Sequence, residues 1–427
     1  MIIVDRALEK REAEGKPIRV GMIGAGYMGI GIALQYLTPL TGQRMVAIAN
    51  RTVDNAEKIY RDAGADTSRV SSVAELEKAI DEGKYSVTDD PSLLCQAGNI
   101  DLIIESTGEI EFGSKYVLEA MEHGKHVVLM NAELDATVGP ILKVKADKAG
   151  VVITNTDGDE PGVAMNLVRF ARSLGYEPKV TGNLKGMLDH YRTPETQREF
   201  AEKYNQKPKL ITSFADGTKL SMETTVLANG SGFGVAKRGM NGHPCDHVNY
   251  SLKLFSLDQI PGDGIVDYLL GAAPYTGAFV LAYNEHPVKA QYMNYFKMGD
   301  GPLYLFYTPY HLPHLQLAST AARAALFADA TVAPVGKPMT DVITMAKRDL
   351  KAGERLDGIG GFTCYGDIDN YDTARSENLL PMGLCEDCVL KVDVPKDHAI
   401  SYEEVEVPAD RLGDKLREEQ TAYFASK

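Results

Sequence analysis

Residues 18–51, IRVGMIGAGYMGIGIALQYLTPLTGQRMVAIANR, decide how the rest of this chain is read. Ile18, Val20, Met22 and Ile23 make a short apolar run, the pattern of a buried parallel strand. Gly24, Gly26 and Gly29 follow at once as G-x-G-x-x-G, then Tyr27 to Leu37 has helical spacing, and Met45 to Ala49 is a second apolar strand. In such a strand–turn–helix–strand unit the first glycine permits the tight turn. The second lets backbone approach a pyrophosphate, and the third lets helix pack on strand. The helix N-terminus adds unpaired N–H groups and partial positive charge for phosphates. Gly24, Gly26, Tyr27, Met28 and Gly29 are therefore expected to hold a dinucleotide. Outside this context the same glycines would mark an ordinary turn of an α/β domain.

The tip of the second strand bears on which dinucleotide. It reads Ala49-Asn50-Arg51-Thr52, with a guanidinium where an NAD site usually carries Asp or Glu for the ribose hydroxyls. Arg51 matches a 2′-phosphate, so NADP(H) is expected over NAD, with Asn50 and Arg51 at the ribose. The alternative has Arg51 solvated and Asp54 serving as the acid.

The chain has 427 residues, enough for two or three domains. A net charge of −14 argues against nucleic acid and against anionic membrane surfaces as partners. No apolar run has the length of a membrane span, and the N-terminal residues carry acids where a signal peptide would be apolar, so a cytoplasmic location is expected. Cysteines at 95, 245, 364, 385 and 388 give no disulfide framework, and Cys385-Glu-Asp-Cys388 lacks a second pair at zinc spacing.

Further along, Ile100 to Glu105 reads as a strand ending in Ser106-Thr107-Gly108, and Lys125 to Met130 as another ending in Asn131-Ala132-Glu133. Ligands of doubly wound sheets sit at the carboxyl ends of strands, so Ser106, Thr107, Gly108, Asn131 and Glu133 are expected on the nicotinamide-ribose side. A last strand near residue 154 closes a dinucleotide domain of residues 1–156. A catalytic and dimerisation domain is expected over 157–333. Its opening, Asp157-Gly-Asp-Glu160, puts three acids in four residues, which suits Mg²⁺ or Mn²⁺ on Asp157, Asp159 and Glu160, or a helix cap. Lys185, Asp189, His190 and Tyr191 gather after Gly182-Asn183, where strand alternation is expected to break. Lys185 could donate to a carbonyl oxygen that gains charge on hydride transfer, with Asp189 steering its protonation. His243, Cys245 and His247 alternate, though Pro244 interrupts them. His311 and His314 stand at a strand-to-helix corner, one of them expected to face the substrate. From residue 334 a small β-rich module is expected. Ala346 to Asp357 is echoed by Leu390 to Tyr402, and a charged helix runs from Ala409 to Phe424.

The motifs G-A-G-Y-M-G, S-T-G and M-N-A-E resemble homoserine-dehydrogenase-like oxidoreductases. The stretches A-K-R-D-L-K-A-G-E-R-L and V-P-K-D-H-A-I-S-Y-E-E-V-E resemble a SAF (β-clip) module. With D-G-D-E-P-G, G-N-x-K-G and P-Y-H-L, essentially the whole chain resembles the DXR-like proteins. That resemblance implies NADPH-dependent, metal-assisted conversion of 1-deoxy-D-xylulose 5-phosphate to 2-C-methyl-D-erythritol 4-phosphate. It also implies a phosphorylated small-molecule substrate met by basic residues such as Lys185, Arg192, Lys237 or Arg238. Resemblance to homoserine dehydrogenases implies a Lys and an Asp at the hydride site, for which Lys185 and Asp189 are the candidates. Asn131-Ala-Glu133 departs from the Asn-Lys those enzymes often carry, which bears on homoserine as substrate.

The expectation is an α/β protein: a Rossmann domain, an α+β catalytic domain and a β-clip module over 334–427. It would act on a small hydroxy-carbonyl compound as a homodimer or homotetramer, through Lys185, Asp189, Glu160 and His311. A dehydrogenase of another small hydroxy acid or aldehyde is the first alternative. A dinucleotide sensor or sugar-binding module without turnover is the second.

Overall fold

A computed structural model describes residues 3–38 and 40–426. The chain divides into two compact units, Met1–Asp159 with Leu312–Ala333, and Glu160–His311 with Pro334–Lys427. This differs from the three-part expectation. The segment from Leu312 returns to the first unit, and the residues after Pro334 join the second. No helix among the described residues is long and apolar enough to cross a membrane.

The first unit alternates α1 (Asp5–Ala13), β1 (Ile18–Ile23), α2 (Tyr27–Leu37), β2 (Gln43–Ala49), α3 (Val53–Asp62), β3 (Thr67–Arg69), α4 (Val73–Asp81), β4 (Tyr85–Thr88), α5 (Pro91–Gln96), β5 (Leu102–Glu105), α6 (Ile110–Glu122), β6 (His126–Leu129), α7 (Ala132–Ala149) and β7 (Ile153–Asn155). The strands form a seven-stranded parallel sheet ordered β3-β4-β2-β1-β5-β6-β7. β1 lies between β2 and β5, where the strand order reverses; ligands of open parallel sheets sit at the carboxyl ends of the strands at such a point. Val20, Met22, Ile48, Ile104 and Val128 make one core with Leu317, Ala321 and Ala322 of the returning helix Pro313–Phe327. That helix packs on α2 at Gly31, where a Cβ would stand 2.8 Å from the His314 ring. His314 is thus packed against a helix. After β7 the chain is extended by one antiparallel bridge, Asn155 to Val332.

The second unit opens with α8 (Glu160–Ser173) and β8 (Glu177–Lys185). It continues through α9 (Arg198–Lys203), α10 (Pro208–Ala215), α11 (Thr218–Ser231), β9 (His243–Pro244), β10 (Ile265–Leu270), β11 (Ala278–Tyr283), α12 (Pro287–Tyr295) and β12 (Leu303–Thr308). Its sheet runs β12-β11-β8-β10-β9, with β8 parallel to β10 and antiparallel to β11. The strand does not break at Gly182-Asn183. It continues to Lys185, and Gly182 is there because a Cβ would meet the Asp267 carbonyl oxygen of β10 at 1.6 Å. Asn183 and Lys185 therefore project from one face of an unbroken strand.

Helix α11 buries nearly its whole surface. One wall against it comes from β13 (Thr340–Ala346) and β14 (Cys364–Asn370), which pair antiparallel. The Gly366 N–H donates to Thr218 Oγ1 at 2.8 Å, Ser221 Oγ donates to the Gly366 carbonyl at 3.2 Å, and the Met339 N–H donates to Asn229 Oδ1 at 2.7 Å. The two echoed segments meet at an antiparallel bridge, Leu350 to Val394, and at the Lys351–Asp393 pair of 2.8 Å, and Arg355 bridges Val389 just before the second segment.

Candidate functional site

In the first unit the glycine loop is braced from behind. Asn50 Oδ1 accepts from the Ala25 N–H at 3.0 Å and its amide donates to the Thr52 carbonyl at 2.8 Å. Ser106 Oγ donates to the Ile23 and Gly24 carbonyls at 3.1 and 3.3 Å. The three glycines answer to different neighbours. Gly24 has φ +108°, and a Cβ on Gly29 would sit 2.7 Å from the Gly24 carbonyl oxygen. Gly26 has no protein atom within 4 Å of where its Cβ would be. The first and third are demanded by the protein, and the second leaves an open cradle at the N-terminus of α2, the space a pyrophosphate requires. Tyr27 is exposed and Met28 half-buried beside it.

At the tip of β2, Arg51 is exposed and makes no ion pair among the described residues. Asp54, its rival for the ribose, is held by Arg69 at 2.5 Å, and Arg69 also binds Glu57 at 2.6 Å. Asn131 is the N-cap of α7. Its Oδ1 accepts from the Leu134 N–H at 3.1 Å, and its amide donates to Glu105 Oε2 at 2.7 Å and to the Glu109 carbonyl at 3.2 Å. Ser106, Asn50 and Asn131 thus spend their side chains on shaping the loops. Thr107 bonds Glu105 by both N–H and hydroxyl, Gly108 turns the chain at φ +73°, and Glu133 lies buried in the first turn of α7.

In the second unit three elements and the loop at His311 bring ionisable side chains to one place. Lys185, at the end of β8, donates to Glu160 Oε2 at 2.8 Å and Oε1 at 3.1 Å. Asn183 Nδ2, two residues earlier on the same strand face, donates to Glu160 Oε2 at 3.2 Å. Glu160 begins α8, where the helix dipole favours a carboxylate. His311 Nδ1 stands 3.9 Å from Glu160 Oε1 and 2.8 Å from Thr276 Oγ1. From α11, Glu223 places Oε2 at 3.8 Å from Lys185 Nζ, and Lys219 reaches Glu223 Oε1 at 3.8 Å. The Glu160 and Glu223 side chains are 4% exposed and Lys185 19%, so these charges interact with little screening. Burial pushes the Glu160 carboxyl up. The Lys185 ammonium, a hydrogen bond with Glu223 and the nearby His311 overcome that and hold it well below the usual carboxylate range.

The geometry brings together Lys185, Glu160 and His311 from the expected set and leaves Asp189 out. Asp189 bonds Arg192 at 3.0 Å and caps the turn at the Tyr191 N–H, a local arrangement of residues three apart. Lys219 and Glu223 were not foreseen. Their signal is an i,i+4 pair opening a helix that is otherwise uncharged from Leu220 to Ser231.

The reductoisomerase expectation asks for a divalent metal and a basic anchor for a phosphate, and several of the residues expected there are engaged with other side chains. Asp157 is bound to Arg323 at 3.4 Å and Glu160 to Lys185, and among the described residues no group of three or more His, Cys, Asp or Glu side chains is arranged to hold a metal ion. That statement covers His243, Cys245 and His247, whose strand is only two residues long. Arg238 is taken up by Asp369 at 2.7 Å and Glu377 at 2.6 Å, and Arg192 by Asp189. Cys385 and Cys388 are buried free thiols, and burial pushes Cys388 up to about 11, far from a reactive thiolate.

Comparison with known proteins finds likenesses to parts of the chain. Residues 158–317 match the family model described as "Oxidoreductase DRL, catalytic domain", and residues 6–108 match "Shikimate / quinate 5-dehydrogenase". A homoserine dehydrogenase of Methylobacillus glycogenes is 33% identical over 141 residues, 31% of this chain and 30% of that enzyme. One of Neisseria gonorrhoeae is 30% identical over 141 residues, 32% of this chain and 28% of that enzyme. The chain therefore spans less than a third of the length of these curated relatives. A homoserine dehydrogenase structure from Thiobacillus denitrificans overlays with a TM-score of 0.44 at 16% identity, covering 79% of this chain and 84% of that one. Each of these matches is to an oxidoreductase.

Proposed function

We propose that this chain is an NADP-preferring dehydrogenase of the homoserine-dehydrogenase-like type, acting on a small hydroxy or carbonyl compound. The observation that carries the reading is the buried Lys185–Glu160 pair, fixed by Asn183, in a chain whose first unit presents an open glycine cradle. In the reducing direction a carbonyl compound, a proton and NADPH give an alcohol and NADP⁺, and the bound nicotinamide supplies the hydride. Lys185 hydrogen-bonds the carbonyl oxygen and delivers the proton as negative charge develops there. Glu160 holds and aims the Lys185 ammonium, and Asn183 and the dipole of α8 keep Glu160 in place. His311, oriented by Thr276, offers a second polar contact to the substrate. In the first unit Arg51 would pair with the 2′-phosphate, since Asp54 is occupied by Arg69.

The test is NADPH consumption, followed by its near-ultraviolet absorbance, with aspartate semialdehyde and then a panel of small hydroxy-carbonyl compounds. Turnover that falls at least about a hundredfold in Lys185→Met is expected, since the general acid and charge stabiliser is removed. NADPH binding with no oxidation by any of the panel would overturn the reading and leave a binding role.

A further inference from the structure

Glu105 is the last residue of β5 and is completely buried. Burying a carboxylate is costly unless every lone pair is used. Here Oε1 accepts from the Thr107 N–H at 2.9 Å and from the Thr107 hydroxyl, and Oε2 accepts from Asn131 Nδ2 at 2.7 Å. Thr107 belongs to the turn after β5. Asn131 caps the helix that follows β6, and its amide also reaches the Glu109 carbonyl. One carboxylate therefore ties two neighbouring strand ends together. Room for it is made by Gly113 of α6, where a Cβ would stand 3.3 Å from the Glu105 carboxyl carbon, 3.3 Å from Asn131 Nδ2 and 2.7 Å from Leu134 Cδ1.

We propose that Glu105 is a positioning residue for the dinucleotide: ionised, it holds the Thr107 and Asn131 turns in the arrangement that receives the nicotinamide-ribose end. This rests on reading the first unit as a dinucleotide site. All three groups that bond it, two from Thr107 and one from Asn131, are donors, so its charged form suits them and its acid form offers them weaker acceptors. Burial pushes Glu105 up to about 7 against the pull of the Thr107 and Asn131 hydrogen bonds, and Glu133 in the first turn of α7 adds to the rise. The clamp accordingly tightens as pH rises through neutrality, and dinucleotide affinity rises with it.

The experiment is a calorimetric titration of the full chain with NADH and with NADPH from about pH 6 to about pH 8.5, for wild type and Glu105→Gln. NADH is the deciding probe, because the 2′-phosphate of NADPH itself titrates near pH 6. Wild type is expected to bind NADH about tenfold more tightly at the high end, the scale of one charge-assisted hydrogen bond. Glu105→Gln turns an amide donor toward either Asn131 or Thr107, so it should bind weakly throughout and lose the slope. A wild-type NADH affinity flat across the range, or a slope that survives in Glu105→Gln, overturns the proposal. The wild-type series decides alone if the variant does not fold. Binding of neither dinucleotide at any pH would bring down the dinucleotide reading as well, and so is told apart from failure of the clamp.

Discussion

Replacing Glu160 by Gln keeps the side chain's shape and removes its charge, which isolates what the ion pair does. Lys185 now has two contacts to Glu160, at 2.8 and 3.1 Å, on a side chain only 19% exposed. Removing one member of a buried pair costs about 3–5 kcal/mol, because the other charge stays buried. Glu223 still stands 3.8 Å from Lys185 Nζ, which favours the lower end, about 3 kcal/mol. If Lys185 acts through this pair, kcat/KM should fall about a hundredfold in Glu160→Gln. The melting temperature should fall by about 6–12 °C, given about 2–4 °C per kcal/mol for a unit of this size. The double variant Glu160→Gln/Lys185→Met removes both charges, so its stability should recover toward wild type while its activity stays lost. The assay pairs initial rates of NADPH oxidation with calorimetric melting of wild type and the two variants. Rates in Glu160→Gln within about threefold of wild type would refute the argument that Glu160 holds Lys185 for the chemistry.

Four further outcomes follow from the first unit. Arg51→Ala should raise the KM for NADPH about 10- to 100-fold and leave that for NADH nearly unchanged, read as the ratio of the two kcat/KM values. Gly26→Ala should abolish dinucleotide binding with little change in melting, because no protein atom is within 4 Å of the new Cβ. Gly29→Ala should lower the melting point itself, its Cβ arriving 2.7 Å from the Gly24 carbonyl. Asp135, buried in α7 and bonded by Asn155, is pushed up to about 7 by burial. A raised acid stabilises the fold below its unfolded value of about 4 and loses that contribution as pH climbs to about 7. Asp135→Asn should therefore flatten this stretch of the pH–stability curve and be more stable than wild type at pH 8, by on the order of 1–3 kcal/mol in urea unfolding.

What was legible in the sequence was local. The β1–turn–α2–β2 unit, the polar strand ends and most helices are written in runs of adjacent residues, and the structure has them within a few positions. β3 and β4 escaped because Thr67–Arg69 and Tyr85–Thr88 are short and largely polar, with no apolar run to announce them. Gly182 misled because a glycine inside a strand looks like a stop, when its cause is the Asp267 carbonyl on a strand more than eighty residues away. Lys185 and Asp189 were paired by proximity in sequence. The actual partners of Lys185 come from α8 and α11, which only the folding of the second unit brings within reach. The place of residues 312–333 was illegible for the same reason. Helix Pro313–Phe327 is apolar on the face that packs, but nothing local says which core it joins.

That returning segment has a consequence for synthesis. The first unit has its seven strands once Asn155 is made, yet Leu317, Ala321 and Val332, which finish its core and sheet, follow more than 160 residues later. At about 5–20 residues per second the ribosome takes on the order of ten to thirty seconds to cover that interval. During it, apolar surface meant for the helix stays uncovered, and the second unit waits in turn for the strands that wall α11. Neither half can finish folding early, so this polypeptide is an expected client of holding chaperones while it emerges.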